Sequence, residues 1–202
     1  MKKIYLMLPG VLLLLVILFG CSTGSTAVKR EYTTLSNNAV QIDISYIDKN
    51  ALIDLYGNSN NPFARNPNGP VLALEIIGRT SDNVIYTIDM YEVSLESEKG
   101  SSQPLSKKWM LGYWEQTLQS TQKSPSGSGK SDKYRGWSSR ITGELIESEV
   151  LPEVWEIMPG EEIKGLITFD PLRGLKTPVT VKIPVYEPSG TIVYTFEYEF
   201  TQ

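Results

Sequence analysis

Alternation of apolar and polar residues is the main pattern along this chain, and it predicts β-strands. Residues 40–46 alternate with period two, which is typical of a strand with one buried face. Residues 71–77 form an almost continuous apolar run, as expected for a central strand of a sandwich. Residues 84–95 also read as a strand, but their apolar positions change parity, which predicts a β-bulge near Met90.

The last third of the chain has the clearest strand pattern. Apolar residues recur through 163–169, 179–185 and 192–200, with Ser189-Gly190 as a turn before the last of these segments. Three consecutive strands joined by tight turns predict an antiparallel sheet. Pro184 lies inside the second strand, which predicts an edge strand or a bulge there.

Two regions interrupt the strand pattern. Residues 48–56 predict two turns of helix, followed by an asparagine- and proline-rich loop at 58–70 that Phe63 would hold in place. Residues 96–148 predict a long, partly disordered insertion. Within it, 109–118 fit a short helix or an irregular strand, 120–133 a flexible loop, and 141–150 a strand or a short helix.

These patterns predict an all-β fold, an antiparallel β-sandwich of about seven strands. The chain is long enough for one domain with one core, and we assign residues 39–202 to it, with the insertion at 96–148. No internal repeat is evident in the sequence.

The first residues have the pattern of a secretory signal peptide. Two lysines precede an apolar run at 4–19, and Gly20 precedes Cys21. The stretch Leu18-Phe19-Gly20-Cys21 resembles the lipobox of bacterial lipoproteins. That resemblance implies signal-peptidase recognition through Leu18 and Gly20, removal of residues 1–20, and lipid on Cys21. Residues 21–38 then read as the lipidated cysteine and a flexible tether. Ser22 implies the outer membrane if the host has two membranes.

Composition narrows the chemistry. Cys21 is the single cysteine, so an intramolecular disulfide is impossible, and the chain has no histidine. Removal of residues 1–20 would leave 17 basic side chains of the 19, against 23 acidic ones. An acidic surface argues against a nucleic-acid partner. The sequence therefore predicts no metal and no cofactor, with the membrane reached through the lipid anchor.

Three short patterns resemble catalytic motifs but lack their context. Residues 128–131 resemble the end of a phosphate-binding loop, but Ser124 stands where its first glycine should be, so we expect no nucleotide. Ser120 and Lys123 fit a Ser-x-x-Lys pattern whose companion motifs are misplaced. Glutamates cluster at 144–162 without the spacing of a calcium loop and read as a solvated charged face. We therefore assign no catalytic residue.

Aromatic residues in the insertion are the remaining candidates for binding. Exposed tryptophan, tyrosine and arginine are enriched in protein interfaces. The alternative interpretation, which we favour, is that Trp109 and Trp114 cover an open end of the sandwich. The possible partner-binding residues are Trp109, Trp114, Tyr134 and Trp137.

A wider resemblance accompanies the strand pattern. The stretch Pro159-Gly160-Glu161, followed by Gly165 and Phe169, is similar to the late strand of immunoglobulin-like domains in bacterial surface lipoproteins of uncharacterised function. The resemblance implies an immunoglobulin-like sandwich and carries no catalytic residue. We expect a membrane-anchored, non-enzymatic binding or structural module of the cell envelope whose partner is an envelope protein or a glycan. The alternatives are an envelope hydrolase with paired carboxylates, and a subunit of an envelope assembly.

Overall fold

A computed structural model describes residues 31–123, 132–172 and 178–201. In chain order these residues form the strands β1 (Thr33–Ser36), β2 (Val40–Ile47), β3 (Leu72–Thr80), β4 (Tyr86–Asp89), β5 (Ser94–Ser97), β6 (Gly100–Ser102), β7 (Val154–Ile157), β8 (Ile163–Phe169), β9 (Val179–Tyr186) and β10 (Ile192–Phe200), and the helices α1 (Lys49–Tyr56), α2 (Lys107–Lys123) and α3 (Ser139–Glu149). A short 3-10 turn, Asp132–Tyr134, precedes α3.

The strands form two antiparallel sheets, which confirms the predicted sandwich. The first sheet has the order β1-β2-β3-β8, and the second has the order β6-β5-β9-β4-β7 with β10 on the other side of β9. The described residues form ten strands, more than the seven or so expected, because β1, β6 and β7 have three or four residues each and leave little periodic signal.

The main core lies between the two sheets and follows the alternating pattern of the sequence. Alternate residues of β2, β3 and β9 point into it, among them Ile42, Leu74 and Val181, all fully buried. Trp155 of β7 packs in the same core, where its ring lies against Gly78. A Cβ at position 78 would come within 2.9 Å of that ring, so the glycine makes room for the tryptophan.

A second core lies on the outer face of the first sheet, beneath the helices. Leu52 of α1, Trp114 of α2 and Ile146 of α3 pack with Phe63 of the loop and Leu166 of β8. Helices α2 and α3 of the predicted insertion therefore pack against the outer face of the first sheet. Of the predicted flexible loop, residues 120–123 continue α2, and 124–131 lie outside the described residues. Of the stretch 141–150, for which a strand or a short helix was expected, residues 141–149 lie in α3 and Val150 ends the helix.

The long strand predicted at 84–95 is interrupted where its apolar positions change parity. Residues 90–93 leave the ladder, so β4 pairs with β9 at Tyr186 and β5 resumes pairing at Lys182. Pro184 lies between Lys182 and Tyr186, where β9 has no pairing partner in β4 or β5. The N–H that proline lacks therefore costs no hydrogen bond to those two strands. In place of the β-bulge predicted near Met90, the structure has a turn that divides the predicted strand into β4 and β5. The prediction of an edge strand is wrong, because β9 has partners on both sides.

Two further predictions need correction. The last three strands do not form one sheet, because β8 pairs with β3 while β9 and β10 pair with each other in the opposite sheet. Alternation identifies buried faces but not strand partners. The folded domain also begins before residue 39, because β1 lies within the segment assigned to the tether and pairs with β2. Only Leu35 of β1 packs against the core, so this strand is held by backbone pairing that leaves little sequence signal.

Candidate binding surfaces

The residues of the predicted lipid anchor are outside the described part of the chain. Leu18, Gly20 and Cys21 all precede residue 31, so the structure says nothing of their arrangement. Within the described ranges, no helix combines the length and the apolarity needed to cross a bilayer.

The aromatic residues predicted from the insertion come together in one cluster. The aromatic cluster consists of Trp109, Tyr113, Trp114, Tyr134 and Trp137. The rings of Trp114 and Trp137 stack with centroids 5.1 Å apart, and Tyr134 meets each of them edge to face at 5.4 and 5.0 Å. Trp109 stacks on Tyr113 at 5.0 Å. The cluster thus connects α2 with the turn before α3.

Burial divides this cluster into a structural and an exposed part. Trp114 and Tyr134 are 2% and 6% exposed, whereas Trp109 is 45% exposed. The Tyr134 hydroxyl donates to the backbone oxygen of Arg65 at 3.0 Å, and burial raises the pKa of Tyr134 to about 12. Trp114 is therefore a core residue between the helices and the outer face of the first sheet, where an open end of the sandwich was expected. Trp109 is the member with a ring face available to a partner.

A groove runs between α2 and α3 beside this cluster. Its volume is about 320 Å³, and its lining includes Leu111, Leu118 and Ile146 together with Glu115 and Arg140. Ligand pockets are commonly of this size. Glu115 is the one carboxylate among the described residues of the lining, which therefore include no acidic pair of the kind that glycoside hydrolysis uses.

The glutamates at 144–162, which were predicted to form a solvated charged face, mostly contact cationic or polar side chains. Glu144 forms an ion pair with Arg140 at 2.7 Å, and Glu147 lies 3.7 Å from Lys107. The Tyr56 hydroxyl donates to Glu149 at 3.0 Å. Within the described ranges no three acidic side chains gather in a manner suited to a metal ion.

One edge of the second sheet is open. Among the described residues β10 pairs only with β9, and its first half exposes Ile192, Val193 and Tyr194 by 51%, 39% and 45%. The alternating pattern predicted that Ile192 and Tyr194 would be buried, and this is wrong. The pairing of β10 with β9 shifts register between these two residues, so their strict alternation is broken, and both side chains are exposed. In the second half of β10, the ring of Phe200 stacks on Tyr46 at 5.1 Å and the sandwich closes.

The β8 edge of the first sheet, by contrast, is protected. The backbone N–H of Leu151 donates to the oxygen of Leu166 in β8 at 3.0 Å, and that of Leu105 donates to the oxygen of Thr168 at 2.7 Å. Unpaired edges promote association with other chains, and proteins usually cover them. In contrast to β8, the start of β10 leaves its backbone edge without a described partner and its apolar side chains exposed.

A polar network on the outer face of the first sheet was not predicted. Glu75 lies in the middle of β3 and is 2% exposed, where the apolar run suggested only core packing. Its carboxylate accepts from the Tyr32 hydroxyl and forms an ion pair with Lys164 at 3.1 Å. A buried carboxylate needs such partners to remain charged. The only sequence signal was a single acidic residue within an apolar strand.

Comparisons with known proteins give no further guide to these surfaces. Neither protein-family models, nor curated protein sequences, nor solved structures contain a significant match to this chain.

Proposed function

We propose that this protein is a lipid-anchored, non-enzymatic binding module of the bacterial cell envelope. The anchor is supported by the lipobox resemblance at Leu18, Gly20 and Cys21 behind a basic and apolar start. In this proposal the folded domain belongs to the immunoglobulin-like type of sandwich that the sequence resembles. In a host with two membranes, Ser22 favours the outer one.

The observation that carries the binding proposal is the open apolar half of β10. Its backbone edge has no described partner, and three large apolar side chains flank it on both faces of the strand. An extended peptide that adds to such an edge gains main-chain hydrogen bonds and buries apolar side chains in the same step. A subunit of an envelope assembly is the form of binding module that this edge supports best.

The proposed partner is an extended segment of another envelope protein. Apolar residues of that segment would lie beside Ile192 and Tyr194. Further along the strand, Glu197 and Glu199 are exposed, so basic residues in the segment would complement their charge. A glycan offers no backbone amides for pairing, so this edge favours a protein over a glycan.

The experiment for the anchor is intact-mass measurement of protein purified from the membranes of its own host. A chain that begins at Cys21 with added acyl mass, and loses that mass in the Cys21→Ala variant, is the expected result. A chain that keeps residues 1–20, or carries no acyl mass, would contradict the anchor and leave the β10 surface unaffected.

The experiment for the binding edge is site-specific photo-crosslinking in host cells. A photoreactive residue replaces Val193 in β10 or, as a matched control, the exposed valine Val154 in β7, which is 54% exposed. We expect one discrete adduct from position 193 alone. Introducing Ile192→Lys beside the probe should remove the adduct, because a charged side chain on an edge opposes strand addition. No adduct, or the same adducts from both positions, would reject β10 as the docking edge.

A further inference from the structure

A pocket with a positive lining lies between α1, the loop at 58–70 and the 3-10 turn. Its volume is about 490 Å³. Three of its lining side chains are cationic: Lys49, Arg65 and Lys133. Amides of Asn58 and Asn66, two prolines, one glycine, one alanine and one isoleucine complete the described lining, which includes no carboxylate.

This lining is unusual for the chain as a whole. Acidic side chains outnumber basic ones by 23 to 19, yet the pocket gathers three cations and no anion. Elsewhere in the described residues, cations such as Arg79, Lys164 and Lys182 form ion pairs with carboxylates. None of the three pocket cations forms an ion pair with a described carboxylate. Their positive charge is therefore available to a ligand.

The walls of the pocket are held by buried polar contacts. Asn61 is fully buried; its side-chain amide donates to the backbone oxygens of Leu52 and Gly57 at 2.9 and 2.7 Å. Its side-chain oxygen accepts from the N–H groups of Phe63 and Ala64, both at 3.1 Å. These bonds fix the loop against the end of α1, so the pocket is built into the fold.

The cations themselves are oriented by their neighbours. The Nε of Arg65 donates to the side-chain oxygen of Asn58 at 2.7 Å, while the backbone oxygen of Arg65 accepts from Tyr134. The ammonium of Lys133 lies 5.4 Å from the centroid of the Tyr134 ring, within the range of a cation–π contact. Tyr134 thus links the aromatic cluster to both cations on its side of the pocket.

We propose that this pocket binds the phosphate group of a phosphate ester. A phosphate group offers more acceptor oxygens to three cations and neighbouring amide donors than a carboxylate does, and guanidinium is well suited to phosphate. A soluble phosphate monoester presents this group with up to two negative charges, and a phospholipid headgroup presents it as a diester with one. The pocket and the β10 edge share no residue, so either can fail without the other.

The test uses residues 21–202 with Cys21→Ala, so that no acyl chain contributes to membrane binding. Isothermal titration with glycerol phosphate measures the soluble ester. Co-sedimentation with vesicles of phosphatidylglycerol, against vesicles of phosphatidylcholine, measures the headgroup. Binding of glycerol phosphate would identify a soluble phosphate ester as the ligand of the pocket. Binding only to the anionic vesicles would identify a lipid headgroup as the ligand. Either result supports the proposal.

Variants then connect binding to the pocket. Arg65→Gln is expected to weaken whichever binding is found by about tenfold or more, since it removes a charge-assisted hydrogen bond. The double variant Lys49→Gln with Lys133→Gln should do the same. Lys108→Gln, which removes an exposed charge of α2 outside the pocket, should leave binding unchanged. Thermal unfolding of each variant checks that the fold is kept.

Two results would overturn the proposal. One is that neither probe binds to the unsubstituted pocket. The other is that Arg65→Gln and Lys108→Gln weaken binding equally, which would assign the effect to net charge and not to this pocket.

Discussion

Gly165 in β8 is the position at which a single added methyl group should be felt most strongly. A Cβ there would lie 2.6 Å from Cδ2 and 2.8 Å from Cγ of Leu151, and 3.1 Å from the backbone oxygen of Glu149. Leu151 cannot retreat easily, because its backbone N–H is bonded to Leu166 of the same strand at 3.0 Å. Gly165→Ala should therefore force the leucine and the strand apart. Overpacking of this kind costs about 1–3 kcal/mol.

The measurement is urea unfolding at neutral pH, together with the melting temperature. Gly165→Ala should lower the urea concentration at the midpoint of unfolding, and it should lower Tm by roughly 2–10 °C for a chain of this size. Gly112→Ala is the matched control, because no atom lies within 4 Å of the added methyl group and Gly112 is inside α2. That variant should be stabilised by roughly 0.5–1 kcal/mol, since glycine is unfavourable within a helix.

A second substitution separates the clash from other causes. Leu151→Ala by itself should destabilise by about 2–5 kcal/mol, because it empties part of the main core. Adding Gly165→Ala to it should then cost clearly less than Gly165→Ala does alone, because the clashing side chain is gone. A Gly165→Ala variant with an unchanged or raised urea midpoint would refute the reasoning.

Three further predictions concern polar and aromatic contacts. Asn61→Ala should lower the free energy of unfolding by about 3 kcal/mol, since four backbone groups, three of them in buried hydrogen bonds, lose their partner. A loss under 1 kcal/mol in urea would contradict this. Trp114→Ala should cost about 3–5 kcal/mol, and calorimetry showing no change in Tm would contradict its core role. For Asp43, burial raises the pKa, but hydrogen bonds from Arg79 and other neighbours outweigh it, so the pKa is lowered below 3.8. The stability that Asp43 contributes is thus present above pH 3.8 and is lost as the pH falls through the lowered pKa. The Asp43→Asn variant should therefore lose less of its free energy of unfolding between pH 5 and pH 2 than the unsubstituted protein does. Equal dependence of that free energy on pH in the two proteins would contradict the prediction.

The candidate surfaces differ in how far the sequence could predict them. The aromatic residues could be identified because tryptophan and tyrosine are conspicuous in a polar insertion. The cationic pocket could not be predicted from the sequence, because its cations are far apart in the sequence and the net charge of the chain is negative. These cations are Lys49, Arg65 and Lys133. Net charge averages over the whole surface, whereas a ligand responds to the few charges beside it.

The open edge illustrates a different limit. The alternation in β10 correctly predicted a strand, but it did not distinguish the buried Phe196 from the exposed Tyr194 two residues before it. It also did not reveal the register shift between Ile192 and Tyr194. Whether a residue on an inward face is covered depends on how far the opposite sheet extends. That extent is set by strands remote in the sequence.

The sequence by itself determined the class of fold, because the alternation of apolar residues is a local property that specifies strand and buried face together. It likewise determined the helix after Asp48, whose side chain accepts from two N–H groups of the first turn. Only the tertiary structure decided that β8 and β9 lie in opposite sheets, that α2 and α3 cover one of them, and that three distant cations line one pocket. Those features depend on which segments form tertiary contacts. The free energy that stabilises such contacts comes from side-chain packing and strand pairing between parts of the chain that are remote in sequence.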